Sequence, residues 1–278
     1  MITVIIALQQ ANQQLSSSSE TPTLDAEILL ADILKISRSY LFAFPERELT
    51  SPEITSFENA IQQRKQQIPI AYIVGHKEFW SLDLKVTRDT LIPRPETELL
   101  VELALKQVIG PEKIIADLGT GSGAIALALA HERPSWEIHA TDLSSNALDV
   151  AKQNAARLQL SNIHFHSGNW LEALPLEKKF DMIVSNPPYV AWEDPFLERE
   201  RLQHEPQSAW MADENGLKEI RCIITHAKQY LKRGGRLLLE HGFEQAAEVR
   251  RFFTKWGYSD IETYRDLGGH ERVTGGTV

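Results

Sequence analysis

Between residues 113 and 275 short apolar runs alternate with helical patterns, and that alternation leaves few folds open. Residues 114–118, 138–141, 163–165, 180–184 and 236–239 are each too short for a helix and largely apolar, so they read as buried strands. With helical stretches between most of them, the expectation is a doubly wound α/β sheet covered on both faces. After Glu240 a helix is expected from about Glu244 to Trp256, then a strand near Ile261 and a last one near Arg272 and Val273.

A chain of 278 residues exceeds what one small core usually supports, and its first part follows another period. Residues 1–70 space apolar side chains by three and four, which fits three or four short helices. One should run through Leu24, Ile28, Leu29, Ile33 and Leu34, with Asp25 near its start. Another should begin at Ser51-Pro52-Glu53, as cap, first-turn proline and first-turn acid, bury Ile54, Phe57 and Ile61, and end by Pro69. The aromatic stretch 40–44 reads as core of a small bundle, the alternative being a docking face for a protein partner. From Ile70 the period changes: Tyr72-Ile73-Val74, Gly75-His76, Phe79 and the alternating Leu82, Leu84 and Val86 read as a β-hairpin. The division expected is a helical domain 1–70, a hairpin linker 71–95 and an α/β domain 96–278.

A net charge of −9 argues against a protein that holds nucleic acid through a broad basic face. No run is long enough to span a bilayer, and the apolar start at Ile2 lacks the basic lead-in of a signal peptide. The lone Cys222 cannot form an internal disulfide, which fits a reducing cytoplasm. His164 and His166 share a strand face, but with no cysteine or carboxylate at ligand spacing nearby no metal is expected. The charged run 198–201 reads as a solvated face.

Two stretches carry chemistry. Asp117-Leu118-Gly119-Thr120-Gly121-Ser122-Gly123 follows the first strand of the sheet and opens a helix at Ala124, the placement a nucleotide-type ligand needs. Asp142, at the next strand end, can accept from ribose hydroxyls or cap the following helix, a role Ser144 or Ser145 could also fill. Ser167-Gly168-Asn169-Trp170 brings a polar group and a large ring to the same sheet edge, suited to a purine, although Trp170 also reads as core.

The second stretch, Ser185-Asn186-Pro187-Pro188-Tyr189, ends the fourth strand. Two prolines fix the backbone and remove two donors, so the loop is stiff and rich in acceptors. The Asn186 carboxamide oxygen and the Pro187 carbonyl could take both hydrogens of a planar NH2 group, with Tyr189 against its flat face. An ordinary Asn-Pro surface turn is the plain alternative. The segment 191–216 has no clear period, and a loop that long is usually functional.

In this order the glycine loop, acidic strand end and purine edge resemble the class I S-adenosylmethionine-dependent methyltransferases. In that family the Asn-Pro-Pro-Tyr position implies methylation of a planar nitrogen, in adenine, cytosine or a glutamine amide. Residues 72–102, with Leu91-Ile92-Pro93-Arg94-Pro95-Glu96-Thr97-Glu98, resemble the linker of the release factor glutamine methyltransferases. The tail segments 238–242 and 266–273 are similar to the same family. The resemblance covers roughly residues 70–275, and before that it is architectural. It implies S-adenosyl-L-methionine as methyl donor, no metal, and the Gly-Gly-Gln glutamine of peptide chain release factors as substrate, with no stable nucleic-acid or membrane partner and residues 1–70 as docking domain. It implies Asn186, Pro187 and Tyr189 as catalytic; Asp117, Gly119, Thr120, Gly121, Ser122, Gly123, Asp142, Asn169, Trp170 and Asn186 as donor-binding; and Asn186, Pro187, Pro188, Tyr189 and Arg94 as substrate-binding. Two positions depart from the family: Asn169 stands where aspartate is common, and Trp210, in a loop that could shape substrate entry, where leucine is usual. The alternatives are an adenine amino-methylating DNA enzyme, a ribosomal-protein glutamine methyltransferase and a nucleotide-binding scaffold.

Overall fold

The structure, a computed structural model, describes residues 1–192 and 202–278 and divides into two units, Met1–His76 and Lys77–Val278. The charged run 198–201 lies outside the described residues.

The first unit is helical: α1 (Val4–Leu15), α2 (Pro22–Leu34), α3 (Arg38–Ala43), α4 (Ser51–Lys65) and α5 (Ile70–Val74). Leu15, Leu29, Leu30, Leu41, Phe57 and Ile61 form its core. Asp25 does more than open α2. Buried with Arg64 of α4, it accepts from that guanidinium at 2.6 Å and from the hydroxyls of Ser19 and Thr21, tying two helices by a charge pair that would be costly to break.

Three expectations need correcting here. The cap of α4 is Thr50, not Ser51: its hydroxyl accepts from Glu53 N while Glu53 accepts from Thr50 N at 2.8 Å, a closed capping box. Within 40–44 only Leu41 is core; Tyr40, Phe42 and Phe44 are 38%, 62% and 45% exposed, because a six-residue helix has one inward face. Tyr72-Ile73-Val74 is helix rather than strand. Pro69 leads into α5 and Gly75, at φ 81°, caps it in the left-handed region, while Ile70, Ile73 and Val74 pack on the helical core. Packing there overrides the strand preference of β-branched residues.

The hairpin therefore starts later, with β1 (His76–Phe79) and β2 (Leu82–Lys85). Its two-residue turn, Trp80-Ser81, has positive φ at both positions, the turn geometry that matches strand twist. In β2 the alternation holds, Leu82 and Leu84 inward, Asp83 and Lys85 outward.

A 3₁₀ turn at Pro95–Thr97 then leads into α6 (Glu98–Gln107), followed by β3 (Ile114–Leu118), α7 (Ala124–Glu132), β4 (Glu137–Asp142), α8 (Ser145–Arg157), β5 (Ile163–Ser167) and β6 (Phe180–Ser185). The chain closes with α9 (Lys218–Ala227), β7 (Leu231–Glu240), α10 (Ala246–Lys255), β8 (Ser259–Arg265) and β9 (Glu271–Thr277). The strands order as β5-β4-β3-β6-β7-β9-β8, parallel from β5 to β7, with β9 antiparallel to both neighbours. Ile115, Ile138, Met182, Val184 and Leu238 pack with residues of α6 and α7 on one face, while Ala116, Ile183, Leu237 and Leu239 pack with α9 and α10 on the other. Chain order reverses direction between β3 and β6, and the crevice beyond the carboxyl ends of two such strands is where open α/β sheets hold ligands.

Candidate active site

The glycine turn rises from β3 at that crevice. Gly119 N and Thr120 N both donate to Thr141 O of β4 at 2.9 Å, and Gly123, at φ 89°, turns the chain into α7. Gly119 has φ 71°, and a Cβ there would meet the Trp170 ring at 2.8 Å, so only glycine lets that ring back the turn. The indole N–H of Trp170 donates to Glu219 at 2.7 Å, and its ring packs on the α9 side of the core. Gly121 has open space where a side chain would be, and the carbonyl of Ser122 is held by Asn154 at 2.9 Å.

Two carboxylates face this turn. Asp117, fully buried, accepts from the Thr120 hydroxyl at 2.6 Å and from Ala126 N at 3.2 Å through Oδ2, whereas Oδ1 is buried with no hydrogen-bond partner. Burial pushes its carboxyl up to about 7, against the pull of those two hydrogen bonds. Asp142 accepts from Gly121 N at 2.8 Å and from Ser144 N at 2.9 Å, and burial raises its pKa as well. The Ser144 hydroxyl caps α8, accepting from Ala147 N, so Asp142 serves the turn rather than the helix. A buried acceptor without a partner, beside an open glycine backbone, suits a ligand carrying N–H or cationic groups and hydroxyls, which is the chemistry expected of the methyl donor. Asn169 is exposed where the purine edge was expected.

The Asn-Pro-Pro-Tyr segment leaves β6 beside a cavity of about 920 Å³. Asn186, Pro187, Tyr189, Arg94, Trp210 and Glu240 line it; Pro188 is buried and does not, nor do the glycine-turn residues. Asn186 donates from Nδ2 to the Thr97 hydroxyl oxygen at 3.1 Å. Its Oδ1 is therefore the atom left to accept. Tyr189 donates its hydroxyl to Glu240 Oε1 at 3.1 Å; burial, with the Glu240 charge beside it, raises the phenol so that it stays protonated. Glu240 is buried, its carboxyl pushed up to about 7 by desolvation and drawn back by the hydroxyls of Thr97 and Tyr189 and the charge of Arg272.

Arg94 lines the cavity, but much of its fork is spent on fold. It donates to Glu205 Oε1 at 2.6 Å and to Ile92 O at 2.8 Å, while Glu205 Oε2 accepts from Ile92 N at 2.9 Å. Glu205 thus staples the segment before α6 to the loop after the Asn-Pro-Pro-Tyr segment, and Trp210 of that loop reaches the cavity. Val190 bridges Met211, with Val190 N on Trp210 O and Ala212 N on Val190 O. A turn at Asp213–Gly216, left-handed at Glu214 and Asn215, ends against the Tyr189 carbonyl, which also accepts from Gln245 Nε2 at 2.9 Å.

The site residues that spacing did not expose are Thr97, Glu240, Glu205 and Gln245. Thr97 and Glu240 lie in stretches that resemble the family, but none of the four carries a local signal of its role, since each acts on a partner at least 50 positions away. The carboxylate that spacing did not place near His164 and His166 is supplied by the fold. Parallel register sets His139 of β4 beside His164, and Glu137 joins them, so a carboxylate and a third imidazole are close. Their polar atoms are matched internally: His139 contacts Glu137 and His166, each at 2.9 Å, and Lys178 pairs with Glu137.

Residues 7–75 match the PrmC N-terminal domain family, and residues 109–266 match a methyltransferase domain family. The chain is 49% identical to the release factor glutamine methyltransferase of Coxiella burnetii, over 98% of either chain. With those of Vibrio cholerae and Escherichia coli it shares 47% and 45% identity, covering 98% and 96% of this chain and 96% of each relative. Among solved structures, a methyltransferase from Pyrococcus furiosus (19% identity, TM-score 0.55, 79% of this chain and 96% of that one) and the catalytic domain of hMettl16 (19%, 0.57, 82% and 80%) have the same fold. Strand order, glycine turn and these neighbours together define a Rossmann-like class I methyltransferase. Identity at this level over nearly the whole length narrows the class further. The chain belongs to the release factor glutamine methyltransferase family.

Proposed function

We infer that this chain transfers a methyl group from S-adenosyl-L-methionine to the side-chain amide nitrogen of the glutamine in the Gly-Gly-Gln segment of peptide chain release factors. The observation that carries the reading is the Asn186 carboxamide, whose NH2 is committed to Thr97, which leaves its oxygen as the acceptor of a residue that lines the cavity together with Pro187. Bound at the glycine turn, the donor supplies an electrophilic methyl; Asp117, Gly119, Thr120, Gly121, Ser122, Gly123, Asp142, Asn169 and Trp170 are the residues assigned to hold it. Asn186 Oδ1 and the Pro187 carbonyl accept the two N–H bonds of the substrate amide, orient it, and stabilise positive charge growing on its nitrogen. Tyr189 packs against the amide plane. Pro188 keeps the backbone stiff, and Arg94 with Glu205 shapes the entrance.

The helical residues 1–70 serve as docking domain, which the exposed Tyr40, Phe42 and Phe44 support, with 71–95 as linker and 96–278 as the transferring domain. Among the described residues no helix is long and apolar enough to cross a membrane, and the place of action we assign is the cytoplasm, where release factors work. The names of the relatives favour a protein amide over a DNA amine. The reading is tested by incubating the full chain with labelled donor and either a release factor or duplex DNA. Label on the factor is expected. Label on DNA alone would sink it.

A further inference from the structure

Asn186 is useful as an acceptor only if its carboxamide points one way, and a carboxamide can be turned over with little change of shape. Thr97 by itself does not settle the direction, because a hydroxyl both donates and accepts. It could take the Asn186 NH2, as it does here at 3.1 Å, or donate to the Asn186 oxygen after a flip. What breaks the symmetry must lie on the other side of Thr97. The candidate is Glu240, which ends β7, is buried like Thr97, holds Tyr189 of the same loop by its hydroxyl, and has its charged form favoured by the Thr97 hydroxyl. Its Oε1 receives the Tyr189 hydroxyl, and its Oε2 is buried with no partner of its own. An ionised carboxylate accepts and never donates. Once the Thr97 proton turns to it, the Thr97 oxygen can only accept, and Asn186 must present NH2 to Thr97 and Oδ1 to the cavity.

We propose that Thr97 and Glu240 are positioning residues for methyl transfer: a directional hydrogen-bond chain, Asn186 to Thr97 to Glu240, fixes the Asn186 oxygen as acceptor, and the same carboxylate holds Tyr189 by its hydroxyl. The inference rests on the role given to Asn186 above. Thr97 does not line the cavity, and Glu240, which does, acts here through Thr97 and Tyr189. Thr97 leads into α6 and Glu240 ends β7, so both anchors are parts of the packed domain rather than of the loop they direct. A buried chain of this kind is worth most when every member is satisfied, and the unpartnered Oε2 is the one place where it has still to tighten.

The charge on Glu240 gives the chain a pH signature. The groups acting on it are the hydroxyls of Thr97 and Tyr189, the cation Arg272, itself paired with Asp266 at 3.1 Å, and the anion Glu96. With desolvation dominating, the carboxyl titrates about 7. Above that value it is acceptor-only and the direction is enforced. Below it the carboxyl carries a proton that can be donated to Thr97, freeing the Thr97 hydroxyl to donate to Asn186 and allowing the flip.

The test compares Thr97→Val, Thr97→Ser, Glu240→Gln and Asn186→Ala in the full chain, reading kcat on a release factor and donor affinity by calorimetry. Thr97→Val should lower kcat by about 10²-fold with donor affinity kept, since a mispositioned clamp costs on that order. Thr97→Ser, which keeps the hydroxyl, should restore most of it. The parent should show an acid limb near pH 7 in kcat, and Glu240→Gln should be slow at pH 8 and lack that limb. Parent-like kcat in Thr97→Val, equal defects in the valine and serine variants, or an unchanged acid limb in Glu240→Gln would each overturn the proposal. Asn186→Ala separates the two levels: if it is inactive while Thr97→Val is not, the chain fails and the clamp stands; if it turns over normally, both fall.

Discussion

Gly216 offers a way to push the Asn-Pro-Pro-Tyr loop without substituting any residue that handles substrate. At φ 81° it sits against the loop so closely that a Cβ would lie 2.0 Å from the Tyr189 carbonyl oxygen. Real Cβ contacts begin near 3.0 Å, so Gly216→Ala must open this contact by 3.0 − 2.0 = 1.0 Å or more. The other near atom, Gln245 Nε2 at 2.6 Å, belongs to a side chain and can yield; the carbonyl belongs to the backbone. Two prolines stiffen the segment before Tyr189, so the shift should travel to Pro187 and Asn186 rather than dissipate. A misplacement of about 1 Å costs about 10²-fold in rate, roughly 2.7 kcal/mol at 1.36 kcal/mol per decade. Left-handed geometry for alanine adds about 1–2 kcal/mol of lost stability. Gly234→Ala is the matched control, because Gly234 has φ 76° with nothing within 4 Å and carries the backbone cost alone. The assay is kcat at saturating release factor, with donor affinity and urea midpoint measured on both variants. Equal kcat in the two variants would refute the claim that the loop is set from Gly216.

Glu205→Gln should lower stability by about 3 kcal/mol, since its side chain is 1% exposed and the change leaves Arg94 facing a neutral partner; an unchanged urea midpoint would contradict the stapling role. For Asp117, the folded pKa of about 7 stands above the ordinary value of 3.8. The folded state therefore keeps a proton that the unfolded chain releases, so stability falls as pH rises from about 4 to about 7 and levels off above, by about 4 kcal/mol from this group. Glu240 acts in the same direction, so Asp117→Asn should flatten the pH dependence of the urea midpoint without abolishing it; an unaltered slope would contradict the burial argument.

The sheet was legible because its central strands β3 and β6 are almost wholly apolar and most strands are separated by helical patterns. The glycine turn was legible for the same reason, being punctuation between a strand and a helix. Helix at 70–74 was not, since Ile73 and Val74 favour strand locally and only packing on Ile70 and the helical core makes them helical. Exposure at Tyr40, Phe42 and Phe44 was hidden because composition says nothing about which face a short helix turns inward. At the site, Asn186 could be read from its place between a strand and two prolines. Thr97 and Glu240 could not, because 89 residues separate Thr97 from Asn186 and 51 separate Glu240 from Tyr189, and a hydroxyl or carboxyl becomes a positioning group only through the partner it meets. The Glu137, His139 and His164 cluster shows the same limit, assembled by parallel register rather than by spacing.

The most direct measurement of the central claim is peptide mapping by mass spectrometry of a release factor after one turnover with donor at saturation, for the parent and for Asn186→Ala. The account expects a single added methyl on the glutamine side chain of Gly-Gly-Gln with the parent, and an unmodified peptide with the variant although it still binds donor. Methyl on that glutamine at the parent rate from Asn186→Ala, or methyl on another residue from the parent, would contradict it.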